Sequence, residues 1–71
     1  MHSYVFRFYH LDGYLTHRVT RQSTDIADAL RWALEMIEPD QAVLEILEGE
    51  TLIWRGTPAR ARAFLETKHA A

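Results

Sequence analysis

The chain contains no cysteine, so neither a disulfide staple nor a thiolate metal site is open to it. Glycine is scarce as well. Gly13, Gly49 and Gly56 stand alone, which excludes the clustered glycine loop that cradles a phosphate. No apolar run is longer than four residues, so no membrane-spanning helix is expected. The N-terminal stretch Met1-His2-Ser3-Tyr4 lacks a basic region followed by a long apolar segment, and no secretory signal is expected from it. A reducing, cytoplasmic setting fits these features.

What is present is an ordinary globular mixture, 48% hydrophobic and 25% charged over 71 residues. That length predicts a single small domain, residues 1–71. A folded chain of this mass exposes roughly 4,600 Å² and buries about 60% of its unfolded surface, so burial only just outweighs chain entropy. So small a core is a poor place to carve an active-site cleft. The net charge of −2 argues against a general nucleic-acid binder, whose domain is normally basic. Its distribution is uneven. Residues 1–23 hold three arginines against one aspartate, residues 24–53 hold one arginine against eight acids, and residues 54–71 hold four bases against one acid. Basic ends therefore flank an acidic middle.

Residues 3–10 are rich in Tyr, Val and Phe, which suit a strand. Asp12-Gly13 supplies a two-residue hairpin turn, and residues 14–21 return as the second strand. That register pairs Phe8 with His17 and Phe6 with Val19. It sets Tyr4, Phe6, Phe8, His10, Leu15, His17 and Val19 on a core face, and Val5, Arg7, Tyr9, Tyr14, Thr16, Arg18 and Thr20 on the other. Ser23 or Thr24 caps a following helix, with Asp25 and Asp28 in its first turns, where the helix dipole favours anions. Ile26, Leu30, Ala33, Leu34 and Ile37 form its apolar stripe, with Ala29, Trp32 and Met36 as a second row. Pro39 ends it. Residues 41–48 and 50–55 read as a second hairpin around Gly49, with Leu44, Ile46 and Ile53 on one face and Val43, Glu45, Leu47, Leu52 and Trp54 on the other. Thr57-Pro58 opens a last helix whose apolar side is Ala61, Phe64 and Leu65, surrounded by Arg60, Arg62, Glu66 and Lys68.

The fold class that follows is α+β in ββαββα order. A four-stranded, mainly antiparallel sheet carries the long helix on one face, and the last helix covers either the same side or part of the other. Strand order stays open. The expected core is Phe6, Phe8, Val19, Ile26, Leu30, Leu34, Ile37, Leu44, Ile46 and Ile53, with Phe64 and Leu65 added by the last helix.

No nucleophile stands beside a base in the sequence, and neither an enzyme nor a cofactor is expected. His10 and His17 are diagonal neighbours in the predicted hairpin, but without cysteine or a cluster of acids they read as rim residues of the core rather than metal ligands. Glu45, a carboxylate in the middle of an apolar strand, is expected to reach Arg55 or another base. The best candidate surface is Arg7, Tyr9, Tyr14 and Arg18, where rings and guanidinium groups share one face. Trp32, Leu52 and Trp54 are the candidate contacts of a homodimer, because the second hairpin is apolar on both faces. The expected function is a non-enzymatic protein-interaction module that self-associates and engages an acidic partner. The alternative is a nucleic-acid-binding accessory protein that stacks and neutralises with the same Arg/Tyr face.

Overall fold

A computed structural model describes the backbone of residues 1–70 and the side chains of residues 1–67. Six elements follow in order: β1 (His2–His10), β2 (Leu15–Ser23), α1 (Ile26–Met36), β3 (Gln41–Glu48), β4 (Thr51–Gly56) and α2 (Pro58–Ala70). The α+β class and the ββαββα order are those read from the sequence. The strands form one antiparallel sheet in the order β2-β1-β3-β4. β1, which carries Tyr4, Phe6 and Phe8, therefore lies inside the sheet. The chain leaves β2, passes through α1 and re-enters the sheet as β3 on the far side of β1. The folded surface is 4658 Å², in line with the value expected from mass.

Both helices cover the same face. Ala29, Leu30 and Ala33 of α1 and Ala61 and Leu65 of α2 share one cluster with Tyr4, Phe6, Phe8, Leu44 and Ile46. Ile26, Trp32, Leu34, Ile37, Trp54 and Phe64 pack around it. Each large aliphatic side chain closed into such a cluster contributes about 1.5–3 kcal/mol. Small alanines on the inner sides of both helices let them sit close over the sheet.

Several local expectations change. The first hairpin does not turn on two residues. His10 N–H donates to the Tyr14 carbonyl and Gly13 N–H to the His10 carbonyl, both at 2.8 Å, so the loop is Leu11-Asp12-Gly13. Gly13 takes the positive φ, 96°, that such a three-residue loop requires. The expected register holds from Tyr4↔Arg21 to Phe8↔His17 and then slips to Tyr9↔Leu15. Thr16 becomes a bulge, and Leu15 moves from the core side to the side of Tyr9. A second bulge, between Ile46 and Leu47, pairs Ile46 with Trp54 and Glu45 with Arg55. It turns Trp54 onto the helix side and leaves Ile53, expected in the core, 38% exposed.

The cap of α1 is also one or two residues later than expected. Asp25 accepts from Asp28 N–H at 2.8 Å, and Asp28 accepts in turn from Thr24 N–H at 3.2 Å. This reciprocal pair satisfies one free amide of the first turn and the Thr24 amide just before the helix. In α2, Thr57 is the cap, its hydroxyl accepting from Arg60 N–H at 3.2 Å, with Pro58 as the first helical residue. The side chain of Lys68 lies outside the described residues.

Candidate functional site

The face of the sheet opposite the helices has no helix on it. Its side chains follow from register. Arg7 lies opposite Arg18 on β2 and Glu45 on β3, and Glu45 lies opposite Arg55 on β4. One straight row, Arg18–Arg7–Glu45–Arg55, thus crosses all four strands. On one side of it runs the row Thr20, Val5, Leu47 and Leu52. On the other run Leu15, Tyr9 and Val43. A charged bar lies across a sheet face whose flanking rows are largely apolar.

Glu45 organises the bar. Tyr9 Oη donates to its Oε1 at 2.8 Å. Arg7 Nη1 stands 3.6 Å from Oε1, and Arg55 Nε stands 3.4 Å from Oε2. The glutamate side chain is only 15% exposed, yet Oε1 accepts from Tyr9 and both oxygens have a guanidinium nearby, so its burial is compensated. Arg18 has no ion pair among the described residues and is exposed. It faces Arg7 directly, an arrangement of like charges that weakens a sheet unless a counter-charge is near. Glu45 is that counter-charge for Arg7. The bar as a whole keeps three guanidinium groups against one carboxylate.

Of the residues singled out from the sequence, Arg7, Tyr9 and Arg18 lie together on this face. Tyr14 does not join them. It stacks on His10 at the hairpin tip, with ring centroids 4.6 Å apart and planes within 11°. Leu52 is on the open face and 49% exposed. Trp54 and Trp32 are on the helix side. Trp32 packs edge-on against Phe6 at 4.9 Å and carries the Arg21 guanidinium over its ring at 4.7 Å. Arg55 is the base that Glu45 was expected to reach, but it joins a surface on which it was not expected. The bulge at Ile53 exchanges Trp54 and Arg55 between faces, and nothing in the hairpin's residue pattern marks it.

The histidines separate. His10 lies beside Asp12 at 3.5 Å and Asp40 at 3.7 Å. His17 instead lines a groove of about 240 Å³ between β2 and α1, with Phe8, Val19, Trp32, Met36, Glu38 and Gln41. His2 pairs with Glu48 at 2.7 Å and stacks on Tyr4. Among the described residues no group of three or more His, Asp or Glu is arranged to hold a metal ion. Burial, and then the carboxylates of Glu48 and Asp25, raise the Tyr4 phenol above its ordinary 10.0.

Gln41 is the buried polar residue in the lining of this mostly apolar groove, 6% exposed. Its Oε1 accepts from Glu38 N–H and its Nε2 donates to Thr16 Oγ1, both at 2.8 Å. The Thr16 hydroxyl donates to the Phe8 carbonyl at 2.9 Å. One amide side chain thereby ties the β2 bulge to the turn that leads from α1 into β3.

No described helix is long and apolar enough to cross a membrane. The chain matches no protein-family model, no curated protein and no solved structure.

Proposed function

We propose that this chain is a non-enzymatic interaction module whose open sheet face binds the acidic surface of a protein partner. The observation that carries the reading is the Arg18–Arg7–Glu45–Arg55 row. An excess of guanidinium groups lies on a rigid sheet, with no counter-ion for Arg18 among the described residues and apolar residues on both sides. Arginine suits paired recognition of carboxylates. The neighbouring Val5, Leu15, Val43, Leu47 and Leu52 add contact area that excludes water around the charges. A cytoplasmic setting belongs to this reading.

Two observations favour carboxylates over phosphates as the partner's charge. Glu45 sits inside the row, where it repels a continuous polyanion, and it ties down the Tyr9 hydroxyl. Self-association belongs to the reading too, but not by setting two open faces together. That arrangement opposes two rows of the same net sign, which disfavours it.

The test is an NMR titration of the labelled protein with an acidic model peptide, beside a single-stranded DNA and an RNA oligonucleotide, at low and moderate salt. Shifts confined to the Arg18, Arg7, Leu52 and Arg55 face with the peptide are expected. Arg18→Glu should abolish them. Its melting temperature should hold or rise slightly, because the substitution turns a like-charge pair into a cross-strand ion pair worth a few tenths of a kcal/mol. Tighter binding of the oligonucleotides, with a steep salt dependence, would establish the nucleic-acid alternative. Shifts elsewhere, or none, would remove the face from consideration.

A further inference from the structure

The outer side of α1 carries a line of charges that complements the row on the open face. Asp28, Arg31 and Glu35 recur at helical spacing, on the side opposite the core residues Ala29, Leu30 and Ala33. Asp25, the helix cap, stands one step before them. Asp25, Arg31 and Glu35 are exposed and Asp28 is partly so. None of these side chains has an ion pair among the described residues. Each aspartate engages one oxygen with a backbone amide, Asp25 Oδ1 with Asp28 N–H and Asp28 Oδ2 with Thr24 N–H, and the other oxygen is left for a partner. From β2 to β4 the open face runs Arg18, Arg7, Glu45, Arg55, which is plus, plus, minus, plus. From its N-terminus α1 runs Asp25, Asp28, Arg31, Glu35, which is minus, minus, plus, minus.

From this we infer that the acidic partner of the open face is a second copy of this chain, whose α1 lies across the four strands with Asp25 over Arg18 and Glu35 over Arg55. The inference rests on the reading of the open face as a site for an acidic protein surface, and it names that surface. Spacing agrees with charge. At about 1.5 Å of rise per residue, Asp25, Asp28, Arg31 and Glu35 fall at successive steps of about 4.5, 4.5 and 6 Å, about 15 Å in all. Neighbouring strands stand about 4.8 Å apart, so the row from β2 to β4 spans about 14 Å. Direction is set as well. With the helix reversed, Arg31 would lie over Arg7 and Asp28 over Glu45, and both pairs would repel. In the favoured direction Arg18, which faces Arg7, receives a counter-charge. Met36, 57% exposed beside Glu35, then meets one of the apolar rows that flank the charges.

The helix line and the row lie on opposite sides of the molecule, because both helices cover the other face of the sheet. A copy therefore cannot fill its own row, and each copy offers one row and one helix. The contact is head-to-tail and can extend beyond two copies. One helix laid over a sheet face is a small, charge-rich contact of the weak, transient class. Assembly is expected at high micromolar concentration in low salt and should fade as salt rises.

The test is sedimentation equilibrium on the full chain up to millimolar concentration, in low and high salt, with a variant on each surface. The mean mass of the wild type should rise with concentration in low salt and return to the monomer value in high salt. Glu35→Arg spoils the helix line alone. Glu35 is exposed in the last turn of α1, where a basic residue suits the helix dipole, so the fold should hold. The substitution should weaken association about five-fold or more and leave the open face able to bind the acidic model peptide. Arg18→Glu spoils the row and should weaken both. Mixed in equal amounts, the two variants should form a one-to-one dimer that grows no further. The Glu35→Arg copy supplies the one intact row and the Arg18→Glu copy the one intact helix. A wild type that stays monomeric overturns the proposal, as does a mixture no heavier than its separate components or an association that Glu35→Arg leaves unchanged. In each of these cases the acidic-partner reading survives if the peptide still shifts the open face, and falls with the proposal if it does not.

Discussion

Replacing Glu45 by glutamine tests whether the charged row is held together by that single carboxylate. The amide keeps an oxygen that can accept from Tyr9 and removes the charge shared by Arg7 and Arg55. The two ion pairs are long, 3.6 and 3.4 Å, and their arginine side chains are 38% and 63% exposed, so each is worth only a few tenths of a kcal/mol after solvent screening. The Tyr9 hydrogen bond, at 2.8 Å, loses its ionised acceptor, a weakening of up to about 1 kcal/mol. Arg7 and Arg18, opposed across β1 and β2, lose their nearby counter-charge, at a cost of a few tenths of a kcal/mol. Together these give about 1–2 kcal/mol, or about 5–15 °C in melting temperature for a domain of this size. Thermal melts followed by circular dichroism in low salt and in 1 M salt separate the contributions. At 1 M the screening length shrinks to about 3 Å, so the ion-pair and like-charge part of the deficit should disappear while the part from the short Tyr9 hydrogen bond remains. A glutamine variant that melts with the wild type in low salt would refute the reasoning. So would a deficit that salt leaves unchanged.

Other consequences are as direct. Gln41→Leu removes both side-chain hydrogen bonds made by a residue that is 6% exposed; it should cost about 1–3 kcal/mol in chemical denaturation, and a neutral result would show that the bulge needs no tie. Tyr4 is neutral when protonated and has a raised folded-state value. The folded protein thus holds that proton more tightly than the unfolded chain, and stability should fall as pH rises past about 10. Tyr4→Phe should flatten that alkaline decline in pH-dependent melts. A Cβ added at Gly56 would lie 2.9 Å from the Trp54 ring, so Gly56→Ala should lower stability by about 1–3 kcal/mol through displacement of that ring, with a shift in Trp54 fluorescence as the direct sign.

The elements were legible because their signals are local. The aromatic content of β1, the two apolar runs on either side of Gly49, the apolar stripe of α1 and the Thr57-Pro58 start of α2 each lie within a few residues of one another. The register of the first hairpin was legible over most of its length for the same reason. Two things were not. Strand order depends on which edges meet after the hairpins form, and residue patterns within a hairpin carry no record of that. The bulges at Thr16 and Ile53 add one residue each to a strand, and with a side-chain period of two each addition reverses the faces beyond it. That reversal moved Leu15 and Arg55 onto the open face and took Trp54 off it. Glu45 was visible as a misfit in an apolar strand. Its three partners come from β1 and β4 together, so the network became evident only once those strands stood on either side of β3.

The β1–β3 pairing is the one junction in the sheet that no hairpin makes. β1–β2 and β3–β4 each close a tight turn, and such hairpins form in about 1–10 μs. The β1–β3 seam joins residues such as Tyr9 and Glu45, 36 positions apart, so its loop-closure entropy is lost before any contact across it forms. Each side of the seam is a complete ββα segment, with β1, β2 and α1 on one and β3, β4 and α2 on the other. The rate-limiting event in folding should then be the zipping of these two segments along Tyr4–Tyr9 and Val43–Glu48. Core substitutions at the seam, such as Phe8→Leu or Leu44→Ala, should slow folding. A change within one segment, such as Ala27→Gly, should chiefly speed unfolding.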